Sequence, residues 1–316
     1  LLLSEFHAPT PAALYEGASA IPWAELFSPD RTIAVDATVR DSGITHSHFA
    51  AQKTKDAIVD RFRESVGRRP DVDAKSPEVR IVVRIVRDEC AVSLDTSGES
   101  LNRRGYRSNP SEAALKETLA AGLLLLAGWQ GDEPLIDPAC GAGTIPIEAA
   151  LIAGNIAPGS LGRDFGFQRL HGFDLKRWEA MLSEAREAAR HPVPVRIEGS
   201  DISPGVVAGA MKNAVAAKVN ERVLFNARSI RNFDPGEGPG TILCNPPYGV
   251  RLPGGEEVET FYREMGEALK KRCRGWTAYL LSGNSAVTRF LGLKASRKFP
   301  VMNGPIDCRL LKYELY

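Results

Sequence analysis

The 316-residue chain has no apolar run near the roughly 20 residues that a membrane-crossing helix requires; residues 123–126 only close an amphipathic segment. Its cysteines are few and scattered: Cys90, Cys140, Cys244, Cys273 and Cys308, odd in number and without a Cys-x-x-Cys pair. That spacing argues against a disulfide framework and a zinc site, and a reducing cytoplasm is expected. His46-x-His48 would turn two imidazoles to one side, but no third ligand stands nearby, so no metal is expected. Charge of one sign is also lacking, with 40 Lys and Arg against 39 Asp and Glu and a net charge of +1. A whole-molecule field that draws nucleic acid is excluded, and any such partner must be held by local patches. Two patches exist: residues 263–316 hold eleven Lys and Arg against four acids, and Arg103, Arg104 and Arg107 cluster within five residues. The chain does not begin with methionine, and Leu1 to Phe6 reads as a strand already under way, so an N-terminal portion is expected to precede it. No internal repeat is present.

What is there fits a large core, 43% hydrophobic and 25% charged, and two domains. Residues 1–100 show short extended runs at 32–39, 79–86 and 91–94 with one helix at 50–66, an α+β pattern. Residues 67–77 form a polar, turn-rich loop, and the arginine-bearing stretch 94–107 is the junction between domains. From residue 111 helices and strands alternate: helix 112–127, strand 134–137, helices 145–154 and 176–190, strand 195–199, helix 204–219, then strands at 223–226, 241–244 and 276–281, a helix at 256–273 and a last strand at 308–314. Alternation of this kind predicts a parallel sheet covered by helices, so residues 101–316 form an α/β domain.

In such sheets ligands bind beyond the carboxyl ends of strands, where a glycine turn lets backbone approach and the next helix offers free N–H groups. Strand 134–137 runs into Asp137-Pro138-Ala139-Cys140-Gly141-Ala142-Gly143-Thr144. The position of a third dinucleotide-fingerprint glycine is held by Pro146, and Gly-Lys-Ser/Thr is missing, which argues against nicotinamide and P-loop chemistry. The turn suits the carboxylate of an amino-acid cofactor, and Asp137 suits its ammonium; Ala139, Cys140, Gly141, Gly143 and Thr144 are the candidate contacts. Asp201, followed by Ile202 at the tip of the next strand, can accept both ribose hydroxyls. The crossover between the two acids, residues 155–194, is long enough to be a lid or a surface insertion.

A second strand, 241–244, opens into Asn245-Pro246-Pro247-Tyr248. Base amines are poor nucleophiles because their lone pair is delocalised into the ring. The Asn245 side-chain oxygen and the Pro246 carbonyl can accept the two N–H bonds and localise that pair, Pro246 and Pro247 holding the turn, while Tyr248 stacks on the base. Neither Cys140 nor Cys244 has a histidine nearby to activate it as a nucleophile. Together the two turns point to an S-adenosylmethionine-dependent N-methyltransferase.

Three further stretches carry a resemblance: residues 94–107 (Leu-Asp-Thr-Ser-Gly-Glu-Ser-Leu-Asn-Arg-Arg-Gly-Tyr-Arg), residues 115–121 (Leu-Lys-Glu-Thr-Leu-Ala-Ala) and residues 303–308 (Asn-Gly-Pro-Ile-Asp-Cys). From Tyr15 to Tyr316 the chain resembles the THUMP-domain guanine-N2 RNA methyltransferases, most closely the bacterial members that act on 23S ribosomal RNA. The resemblance implies a seven-stranded class I, Rossmann-like methyltransferase domain behind a smaller THUMP-type RNA-binding domain, which is partial here. It implies a guanine in 23S ribosomal RNA as substrate, with Arg103, Arg104 and Arg107 holding RNA, no membrane or metal partner, and a monomer. The family usually has an Asp after strand 223–226 that takes the cofactor adenine amine; here Ser229 stands in that place, with Asn226 as the substitute. Two rivals stay open: an adenine-N6 methyltransferase on RNA or DNA, and a non-catalytic RNA-binding assembly factor with a dormant methyltransferase fold.

Overall fold

Val79-Arg80-Ile81-Val82-Val83-Arg84-Ile85-Val86 alternates buried and more exposed positions, the period of a strand covered on one face. The computed structural model, which describes residues 1–107, 115–190, 195–247 and 255–316, places it inside a four-stranded sheet. The elements there are β1 (Leu2–His7), α1 (Pro11–Ser19), α2 (Trp23–Leu26), β2 (Ile33–Arg40), α3 (Ser47–Val66), β3 (Val79–Val86) and β4 (Glu89–Leu94), with strand order β1-β4-β3-β2. Only β2 and β3 pair in parallel. Trp23, Phe27, Ile58, Phe62 and Ile81 fill the core between helices and sheet. Of these helices only α3 is legible in the sequence. α1 is missed because Pro11 reads as a turn signal; it sits instead at the start of the helix, after the Thr10 cap.

Contacts divide the chain into two compact units, Leu1–Leu101 with Asp164–Glu179, and Asn102–Arg163 with Ala180–Tyr316. Part of the long crossover therefore belongs to the first unit. The Phe167 N–H donates to the Thr96 carbonyl at 3.1 Å and the His171 N–H to that of Leu26 at 2.8 Å. Phe165 and Phe167 stack at 5.2 Å, with Trp178 edge-on to Phe167 at 5.3 Å.

The second unit contains α4 (Glu117–Ala127), β5 (Leu135–Asp137), α5 (Thr144–Ala153), β6 (Ile197–Asp201), α7 (Pro204–Ala216), β7 (Leu224–Ala227), β8 (Thr241–Cys244), α8 (Gly255–Arg272), β9 (Thr277–Ser282), α9 (Ser285–Thr288), β10 (Arg297–Asn303) and β11 (Ile306–Glu314); α6 (Leu175–Glu187) lies in the crossover. These strands form one seven-stranded sheet in the order β10-β11-β9-β8-β5-β6-β7. The five strands from β9 to β7 run parallel, and β11 and β10 close one edge antiparallel. β10 is hidden in the sequence because Pro300 interrupts its pattern, yet an edge strand tolerates a residue without an N–H. Separate apolar clusters cover the sheet, one around Leu135, Ile147 and Leu243 and one around Ile242, Tyr262 and Leu280.

The chain runs from β5 outward through β6 to β7, then returns to place β8 on the other side of β5. That reversal opens a crevice at the carboxyl ends of β5 and β8, where an α/β sheet binds its ligand. Asp137 and Asn245 stand there.

Candidate active site

β5 is three buried residues long, and Asp137 closes it with 1% of its surface exposed. Its Oδ1 accepts the Ala139 N–H at 3.2 Å, and the Cys244 thiol donates to the same carboxyl. Burial pushes the Asp137 carboxyl up to about 7, the two hydrogen bonds hold it back, and the negative Asp201 adds a little to the rise. Among the described residues it has no cationic partner, so a buried acid awaits a positive group.

The next turn joins this acid to Asp201. The Cys140 N–H donates to the Ser200 carbonyl at 2.8 Å and the Gly141 N–H to Asp201 Oδ2 at 3.2 Å. The other Asp201 oxygen accepts the Ser203 N–H at 3.0 Å, so the carboxylate holds the tip of β6 and the cofactor turn together. Gly141 (φ +52°) and Gly143 (φ +78°) both lie in the left-handed region. A Cβ on Gly141 would meet nothing within 4 Å, whereas one on Gly143 would stand 2.9 Å from Ala210 Cβ and Phe225 Cζ. The first glycine leaves open space above the turn; the second lets α5 pack against its neighbours. Asn213 on α7, absent from the sequence-derived site, fixes the turn from behind by donating to the Ala142 carbonyl at 3.0 Å. α5 then begins at buried Thr144, its first N–H groups free of helical partners by geometry. Ile202 beside Asp201 is 74% exposed, an apolar side chain at the mouth.

Asn226 and Ser229 are already engaged. The Asn226 amide donates to Glu198 Oε1 at 3.0 Å, and Arg228 lies 3.3 Å from the same oxygen. Ser229 accepts the Arg231 N–H at 3.3 Å and caps a short turn. Neither supplies a carboxylate, and the Asn226 amide nitrogen already donates inside the protein.

On the other side of the crevice, β8 pairs with β5 through Leu135 opposite Thr241 and Ile136 opposite Ile242, which brings Asn245 to the same edge as Asp137. Asn245 Oδ1 is buried and has no hydrogen-bond partner among the described residues. A buried acceptor left unmade costs about 1–3 kcal/mol, so it marks a place kept for a donor that arrives with a ligand. Pro246 is buried and Pro247 exposed; Tyr248 lies outside the described residues.

The arginine cluster behaves differently from the expectation that all three residues hold RNA. Arg104 Nη2 lies 3.4 Å from Glu148, whose side chain is 1% exposed and also accepts the Tyr106 hydroxyl at 3.1 Å. Arg107 pairs with buried Glu117 at 3.5 Å and donates to the Leu115 carbonyl and to Thr144 Oγ1, the latter at 2.7 Å. Both guanidiniums thus lie against buried carboxylates, and Arg107 also braces the start of α5, so each is engaged within the protein. Arg103 alone is exposed. Nothing in the local sequence reveals this, because Glu148 comes 44 residues after Arg104.

No cluster of metal-ligating residues occurs among the described residues, and no described helix is long and apolar enough to cross a membrane.

The family model for the RMKL-like methyltransferase domain matches residues 104–312, and that for the THUMP domain matches residues 10–95. The chain is 42% identical over 303 residues to a protein of Synechocystis sp. named "Putative RNA methyltransferase", covering 96% of this chain and 79% of that one. It is also 42% identical to the ribosomal RNA large subunit methyltransferase K/L of Methylococcus capsulatus, covering 99% of this chain and 43% of that protein. The chain thus spans under half the length of this K/L relative. Among solved structures, one described as a "putative methyltransferase complexed with SAH" superposes with a TM-score of 0.89 at 31% identity, covering 100% of this chain and 83% of that one. With both family models matching and the crevice built as a class I fold requires, the chain belongs to the RMKL-like methyltransferases that carry a THUMP domain ahead of a Rossmann-like catalytic domain.

Proposed function

We propose that this protein transfers a methyl group from S-adenosylmethionine to the exocyclic N2 amine of a guanine in the 23S RNA of the large ribosomal subunit. The observation that carries the reading is the orphaned Asn245 Oδ1 at the crevice shared with Asp137. The names of the relatives in Synechocystis and Methylococcus support RNA, and ribosomal RNA in particular, as the substrate. The SAH of the similar solved structure, the demethylated product of S-adenosylmethionine, supports the cofactor.

The residues fit that cofactor. Asp137 is a buried acid with no cationic partner among the described residues, suited to the ammonium; the open space over Gly141 and the N-terminus of α5 suit the carboxylate; and Asp201 suits the ribose. When bound, S-adenosylmethionine supplies an electrophilic methyl on a sulfonium. Asn245 Oδ1 and the Pro246 carbonyl accept the two N–H bonds of the amine and restore its lone pair to nitrogen, with Tyr248 stacking on the base. No strong general base is needed, because a methylated aryl ammonium is a strong acid. Holding amine and methyl in line accounts for much of the remaining acceleration, effective molarities reaching about 10⁵–10⁸ M in well-oriented systems. The base must be unpaired or flipped to reach this pocket. Exposed Arg103 and the THUMP domain hold the RNA, and the protein acts as a monomer in the cytoplasm. Single-turnover methyl transfer to unmodified 23S transcript by the native protein and by Asn245→Ala tests the role: equal rates would remove Asn245 from the chemistry.

A further inference from the structure

Beside the crevice, a cleft of about 640 Å³ opens past the end of β9, lined by Ser282, Asn284, Arg289, Lys294, Lys298 and Arg309 among others. Three of its uncharged side chains bond to neighbouring backbone. The Ser282 hydroxyl donates to the Asn284 carbonyl at 3.0 Å, Asn284 Oδ1 accepts the Ala286 N–H at 2.9 Å, and the Thr288 hydroxyl donates to the Ser285 carbonyl at 2.9 Å. The cations are not spent. Arg289, Lys294, Lys298 and Arg309 are all exposed, and among the described residues none has a carboxylate partner; Arg289 only lies over the Phe290 ring at 4.8 Å. Asp307 is the single acid on the lining. Several other cations of the same domain are paired, as Arg231 is with Glu264 and Lys270 and Lys271 are with Glu267.

Register sets the cleft close to the reacting edge. Cys244 pairs with Leu280 and Ser282 with Arg309, so Asn245 and Arg309 lie at nearby heights, separated by the steps from β8 to β9 and from β9 to β11. Two strand spacings amount to about 10 Å, within reach of a few nucleotides from a base at Asn245.

We propose that this cleft holds the phosphodiester backbone flanking the target nucleotide, a second RNA-binding surface within the catalytic domain that sets which nucleotide reaches Asn245. The proposal rests on the reading of the crevice as an RNA methyltransferase site. A chain whose overall charge is near neutral needs such a local concentration of positive charge to hold a polyanion.

The test is the salt dependence of binding to an in vitro transcript of 23S ribosomal RNA, measured for the native protein, for the quadruple variant Arg289→Ala/Lys294→Ala/Lys298→Ala/Arg309→Ala, and for Lys212→Ala, an exposed cation on α7 outside the cleft. Removing one phosphate-binding cation flattens the slope of log K against log salt by about 0.7 on single-stranded RNA, so the quadruple variant should show a slope shallower by about 2 to 3, and Lys212→Ala the native slope. SAH affinity should stay within twofold, which confirms that the fold is intact; if the quadruple variant fails this check, Lys294→Ala/Lys298→Ala carries the test with about half the change. An unchanged slope with normal methylation by the native protein overturns the cleft and leaves the reaction standing. No salt-dependent RNA binding by the native protein overturns both. Loss of inorganic phosphate binding without any change in the RNA slope assigns the cleft to a free anion and also overturns the proposal.

Discussion

The Cys244 thiol donates to the Asp137 carboxyl, tying the last residue of β8 to the last residue of β5. One hydrogen bond thereby links the acid proposed to receive the cofactor to the residue that immediately precedes Asn245. Both groups are buried, so the thiol stays protonated and remains a donor.

Burial of the Asp137 carboxyl makes cofactor affinity depend on pH. The Asp137 carboxyl titrates near 7, above its ordinary 3.8. Because the folded value is the higher one, the acid destabilises the ligand-free fold as pH rises from about 4 to about 7, and nothing changes beyond. Binding an ammonium requires the ionised form, so SAH affinity should fall about fivefold between pH 7 and pH 6 by calorimetry. Asp137→Asn should bind weakly, show no such dependence, and raise the thermal midpoint of the ligand-free protein at pH 8. Cys244→Ala removes a bond that lowers the titration, so its affinity should begin to fall at higher pH.

Asn245→Ala removes a transition-state acceptor and leaves the cofactor turn intact. The rate of methyl transfer should fall about 10²–10³-fold, the range for deleting one preorganised polar group, with SAH affinity little changed.

Gly143→Ala places a Cβ 2.9 Å from Ala210 and Phe225 at φ +78°, so it is both overpacked and strained. A loss of about 1–3 kcal/mol in chemical denaturation is expected, with weaker SAH binding as the turn shifts.

Arg104→Ala would leave Glu148 buried without its ion-pair partner. Breaking a buried pair costs about 3–5 kcal/mol, so the melting midpoint should drop sharply, while the salt slope of RNA binding below that temperature stays as in the native protein. A flattened slope would restore Arg104 to the RNA surface.

The parts of this site readable in the sequence are those whose chemistry is local. Asp137 with its glycine turn, Asp201 before a capped helix and the Asn245 turn each announce a strand end, and the alternating pattern of residues 111–316 announces the sheet that brings them together. What could not be read depends on distant partners. Arg104 and Arg107 look like an exposed basic patch until Glu148 and Glu117 are folded beneath them. Pro11 and Pro300 hide a helix start and an edge strand because proline at those two positions costs nothing. Asp164–Glu179 lies inside the catalytic sequence but packs with Leu1–Leu101, which no local pattern could reveal.

Transfer to the N2 amine of guanine in ribosomal RNA is open to a direct test. Incubating the protein with unmodified 23S transcript and isotopically labelled S-adenosylmethionine, then resolving the nucleosides by mass spectrometry, tests donor, acceptor and base together. Label is expected in N2-methylguanosine at a discrete site and is lost with Asn245→Ala; label in N6-methyladenosine, or none despite retained RNA binding, would contradict guanine-N2 transfer.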